Sequence, residues 1–127
     1  MRGRLTPDSL EDSEEVVLEV KAWGFTARAI SDEMARHLRL EERLGVLITG
    51  VKPNSFAFEA GLRPGDLVRR LDGQPVPSLR VFEQRARRII EAETSQVLFE
   101  VRRGRSLSWR LLEPAYNGKR DEEDSGR

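Results

Sequence analysis

Few side chains in this sequence could make or break a bond. His37 is the only histidine. It stands on a polar stretch as a solvated residue, and a lone imidazole cannot build a zinc site. There is no cysteine, hence no disulfide, no thiolate zinc site and no thiol nucleophile. A Ser-His-Asp triad needs three groups held in one geometry. The one stretch resembling a nucleophile loop, "EDSGR", lies in a charged tail with no core to hold it, so intrinsic catalysis is not expected. "RARR" (Arg85 to Arg88) and "RRGR" (Arg102 to Arg105) read as solvated faces, without the aromatic interleaving that stacks bases. What remains is an oddity of binding type. In "VKAWGFTARAI", Trp23-Gly24-Phe25 opens what otherwise reads as a strand. A glycine inside a strand pattern marks a close approach by another backbone or a ligand.

The 127 residues suit one domain, and 38 % apolar residues can fill one modest core. Basic and acidic residues balance at 22 each, which gives no field to attract nucleic acid or an anionic membrane. No apolar run approaches the roughly 18–20 residues needed to span a bilayer, and the start lacks the apolar stretch of a signal peptide. Residues 1–14 and 115–127 are polar and charged and read as disordered linker and tail. The domain is expected over 15–114.

Within it, "VVLEV" and "WGFTARAI" predict strands. Ser31 offers an N-cap to a short helix, and "GVLITGV" is the best strand. Ser55 to Ala60 holds one or two helical turns ending at Gly61, and "LVRRL" is a strand closed by the turn "DGQP". Ser78 caps the longest helical pattern, with Leu79, Phe82, Ala86, Ile89 and Ile90 on one face. "QVLFEVRR" and "LSWRLLE" form a hairpin turning at Gly104. The order β β α β α β α β β suits a small, partly open barrel capped by helices, not a doubly wound parallel sheet.

The segment "GVLITGVKPNSFAFEAGLRPGDLVRRLDGQPV" resembles a PDZ domain. The matching residues are Ala60-Gly61-Leu62, Gly65-Asp66, Leu67-Val68, Gly73 and Val76, and the resemblance runs from about Val16 to Glu113. Physically these residues read as turns and core, not as a site. "SDEMARHLRLEERL" ahead of "GVLI" is similar to PDZ domains of the bacterial HtrA/Deg serine proteases, with Ser31, Glu33, Ala35, Leu38 and Leu40 fitting. The resemblance implies an α+β fold of five to seven short strands with one long helix and one or two short ones. It also implies a carboxylate-binding loop at Trp23-Gly24-Phe25, whose amides form an anion nest. A peptide would add as an antiparallel strand beside Phe25, Thr26, Ala27 and Arg28. Leu79, Phe82 and Ala86 of the long helix would form the other wall.

Two departures stand out. Trp23 replaces the more usual Ile or Leu, and serves as groove residue or core anchor. No histidine opens the groove helix, where Leu79 to Val81 stand. The function implied is recognition of hydrophobic C-termini or unfolded segments for the protease of a longer parent chain. No cofactor, nucleic acid or membrane insertion is expected, the isolated domain is expected to be a monomer, and the resemblance suggests the periplasm or cell envelope. The alternatives are an oligomerisation domain whose groove is filled by its own assembly, or a PDZ domain of another parent, such as a membrane zinc protease or a secretion component.

Overall fold

Three serines start the three helices. The hydroxyls of Ser31, Ser55 and Ser78 accept from the amides of Met34, Phe58 and Val81, satisfying donors that a first helical turn leaves free. The helices are α1 (Asp32–His37), α2 (Phe56–Ala60) and α3 (Leu79–Glu91). Gly61 ends α2 in the left-handed conformation, φ 94°, where a Cβ would be strained. The computed structural model describes residues 16–40 and 45–116. The disorder expected at residues 1–14 and in the tail from 117 onward lies outside the described residues.

The strands are β1 (Val17–Val20), β2 (Phe25–Ala29), β3 (Val46–Val51), β4 (Leu67–Leu71), β5 (Gln74–Pro75), β6 (Val97–Arg103) and β7 (Ser106–Leu112). They form one seven-stranded sheet in the order β1-β2-β3-β4-β6-β7, with β5 paired to β4 off that path. All pairings are antiparallel. The sheet is open and unclosed, the α+β architecture expected, with β1 and β7 at its two edges. The turn expected at "DGQP" is tighter than a plain loop. Asp72 and Gly73 both take positive φ, as a two-residue hairpin requires, and bring Gln74 back onto Leu71.

The core is aromatic at its centre. Trp23, Phe25, Phe82 and Phe99 are all fully buried, with ring centroids 5.8 Å to 6.3 Å apart in edge-on, tilted and stacked pairs. Ile48, Leu62, Val68, Leu71, Val97 and Leu112 close around them. A smaller cluster of Ile30, Ala35 and Leu67 seats α1. The Gly65-Asp66 turn is scaffold, as its residue types indicate. Asp66 is 1 % exposed, and its carboxylate accepts from the Arg63 amide at 2.9 Å and from the Arg103 guanidinium at 2.7 Å and 2.8 Å. This ties the turn after α2 to β6. The bond to Asp66 holds the Arg103 proton more tightly than in a free guanidinium.

Candidate functional site: a strand-accepting groove

Strand alternation settles what β2 offers to each side. Phe25, Ala27 and Ala29 point into the core, while Thr26 and Arg28 are half-buried on the other face, where the Thr26 and Thr49 hydroxyls bond at 2.8 Å. Across from β2, α3 turns Leu79, Phe82 and Ala86 inward, and Phe82 meets Phe25 with centroids 6.0 Å apart. The sequence-predicted residues are thus brought together as two walls, β2 and α3. The space beside β2 is taken. β1 lies there, antiparallel, with Val17, Leu18, Glu19 and Val20 opposite Arg28, Ala27, Thr26 and Phe25.

The loop joining β1 to β2 shows how the strand is held. The amides of Trp23 and Gly24 both donate to the Val20 carbonyl, at 3.2 Å and 2.8 Å. Two donors of the loop thus converge on one oxygen. They bond a carbonyl of the chain itself, where the sequence reading had them facing water until a ligand arrives. Val20 is 6 % exposed, its side chain closed in between β2 and α3. Beside it runs a cleft of about 410 Å³ lined by Leu18, Val20, Glu83, Ala86, Arg87 and Ile90.

Gly24 is approached by something other than the expected carboxylate. A Cβ on Gly24 would stand 2.2 Å from the Ser55 Cβ, and its φ is +92°. The start of α2 presses onto this loop: the Ala57 amide donates to the Trp23 carbonyl and the Lys52 amide to the Gly24 carbonyl, both at 2.9 Å. A valine at this position would therefore disturb the fold itself. Trp23 is also settled as a core anchor: it is fully buried, and its Nε1 donates to the Tyr116 hydroxyl at 3.2 Å. Burial pushes the Tyr116 phenol above its ordinary pKa, against the lowering effect of that bond. Sequence reasoning missed three participants: Val20, Ser55 and Tyr116. Only Val20 had a visible signal, a β-branched run set directly before the loop.

Residues 47–103 match the sequence profile of the PDZ domain family. The fold agrees. The structure of the HtrA-type protease AlgW with decapeptide superposes with a TM-score of 0.58 and 26 % identity, over 73 % of this chain and 28 % of that one. The described residues have the PDZ fold. They resemble the PDZ domains of HtrA/Deg serine proteases in sequence as well. The magnetosome formation protease MamE of Paramagnetospirillum magneticum is 43 % identical over 68 residues, 54 % of this chain and 8 % of MamE. The periplasmic serine endoprotease DegP of Escherichia coli is 31 % identical over 55 residues, 43 % of this chain and 12 % of DegP. The chain thus spans about a tenth of the length of these relatives, and the PDZ domain is homologous to their non-catalytic part.

Proposed function

We propose that this PDZ domain binds the C-terminal segments of other polypeptides in the groove between β2 and α3, by exchange with β1. The observation that carries the reading is the Val20 carbonyl on the Trp23 and Gly24 amides. A peptide strand running as β1 runs would end at that point, and its carboxylate would take the same two donors with a full charge in place of a dipole. The wall residues are Phe25, Ala27, Leu79, Phe82 and Ala86, with Thr26 and Arg28 on the outer side of the strand. Leu79, Phe82 and Ala86 present only hydrocarbon, so the last side chain of the ligand is apolar and of about the size of Val20. Two of the comparisons favour this reading: AlgW is described with a decapeptide, and DegP is named a periplasmic endoprotease. The larger role follows as part of the proposal, namely recognition on behalf of a protease domain elsewhere in a parent chain of the cell envelope.

Exchange has a cost. Only molecules with β1 detached can accept a peptide, so the measured affinity is the intrinsic one reduced by that fraction. The test is a titration by fluorescence polarisation of a peptide ending in valine with a free carboxylate, and of its amidated twin. Both are run on the whole chain and on a chain lacking residues 1–20. The expected result is roughly micromolar binding of the acid by the shortened chain, about tenfold weaker binding by the whole chain, and little binding of the amide. If neither chain distinguishes acid from amide, the proposal is wrong. β1 in place also favours a second reading, a scaffold domain whose groove is closed for good. Absence of binding by the whole chain, with tight binding by the shortened one, would establish it.

A further inference from the structure

β7 is an edge strand with its apolar residues turned outward. Leu107, Trp109 and Leu111 are 62 %, 54 % and 44 % exposed, and Leu98 of β6 lies opposite Leu111 on the same face. The other face is covered: Leu112 is buried, and Arg110 lies over Gly61 at the end of α2. Arg103 and Ser106 pair across a two-residue turn. By the alternation of an antiparallel ladder, the even-numbered residues of β7 then exchange bonds with β6. The odd-numbered ones aim their N–H and C=O groups at the open edge. Among the described residues, no backbone bond from outside the β6–β7 ladder reaches 106–112. Native edges are ordinarily blunted by charge, proline or a bulge; this one carries Leu, Trp and Leu in a row.

We propose that β7 is the pairing surface for a second copy of this chain, edge to edge and antiparallel, with the two-fold axis at Trp109. The row of odd residues decides both the partner and the register. Leu107, Trp109 and Leu111 read apolar, aromatic, apolar, which is its own reverse, with Arg105 of the turn ahead of the strand at one end and Glu113 just past it at the other. With the axis at Trp109, Leu107 of each copy stands opposite Leu111 of the other, and the turn that carries Arg105 comes to the end of the other strand, where Glu113 follows. Ser108 stands opposite Arg110, so no guanidinium meets another. Moving the axis to Arg110 sets two guanidiniums face to face and Leu107 against Glu113. Moving it to Ser108 sets Leu107 against Trp109 and leaves Leu111 beyond the partner strand, beside its turn. Among the described residues Glu113 is held by an exposed 3.4 Å contact from Gln96, which is easily given up. Such a contact is isologous, so it closes on itself as a dimer instead of growing into a fibre. Under this proposal the isolated domain, expected from the sequence to be a monomer, pairs through its sheet edge. The pairing edge lies across the sheet from the groove, and it stands or falls independently of peptide binding.

The test is the mass of the whole chain by sedimentation equilibrium across a series reaching about 1 mM. The mass is expected to rise from one chain towards two, and Trp109→Glu to hold it at one chain. Arg105→Glu alone and Glu113→Arg alone each raise the dimer dissociation constant by roughly tenfold, since each loses an attraction twice and gains a repulsion twice. Both together bring it back to within about threefold of the original. A single-chain mass throughout overturns the proposal and leaves the face to another domain of the parent. A dimer unaffected by Trp109→Glu overturns it in favour of another surface. A double swap no better than the singles overturns the register.

Discussion

The two edges of one sheet handle apolar alternation in opposite ways. At the β1–β2 edge, Val20, Phe25 and Ala27 point inward beneath α3 and are buried. At the β6–β7 edge, Leu107, Trp109 and Leu111 point outward and are exposed. Each strand shows the period of two that makes a strand legible. The period says that one face is apolar and says nothing about what covers it. The two tryptophans carry the contrast: Trp23 is wholly buried, with its Nε1 bonded to Tyr116, and Trp109 is 54 % exposed. Coverage is supplied by elements far away in sequence, and it is why one edge reads as a groove and the other as an interface.

The strongest way to break this comparison is to treat the tryptophans alike. Trp23→Ala should cost about 4 kcal/mol in urea unfolding, from lost burial and the cavity left among Phe25 and Phe99. Trp109→Ser should change monomer stability by no more than about 0.5 kcal/mol. Similar losses for the two would show that the β7 face is covered after all. Gly24→Val comes next, at about 3 kcal/mol, because positive φ and the Ser55 contact both resist the side chain. Adding Ser55→Gly should recover part of that loss and not the rest, since strain at φ +92° remains. A valine variant that melts like the parent would return the loop to an open site.

The smallest effect concerns Tyr116, whose hydroxyl accepts from the buried Trp23 indole. Its phenol pKa in the folded chain lies above the ordinary 10.0, chiefly because of burial, with the Glu93 charge adding to it. A group whose folded pKa exceeds its unfolded value contributes stability below the unfolded pKa and loses it as pH rises through the folded one. The contribution of Tyr116 is therefore complete below about pH 10 and declines above it. Absorbance at 295 nm should show this phenol ionising later than free tyrosine, and Trp23→Phe, which removes the indole donor, should delay it further. Ionisation at or below the value of free tyrosine would place the hydroxyl in water.

The sequence by itself determined the local elements, because their causes are local. Serines at the N-caps, Gly61 at a helix end and Gly104 in a hairpin turn act on neighbours a few residues away, and each is where its type implied. It also determined the PDZ scaffold, since Leu62, Asp66, Leu67 and Val76 recur at turn and core positions of fixed spacing. The small strand at Gln74–Pro75 was hidden, because two residues carry no period. Only the tertiary structure decided the site. That Trp23 is core depends on Phe99 and Tyr116, more than seventy residues away along the chain. That Gly24 admits Ser55 depends on α2 docking against the loop. That β1 pairs with β2 follows from both edges of β2 being free to pair, and β1 is joined to β2 by a short loop. A covalently attached strand is always at high effective concentration, so it outcompetes any dilute one unless its own pairing is weak.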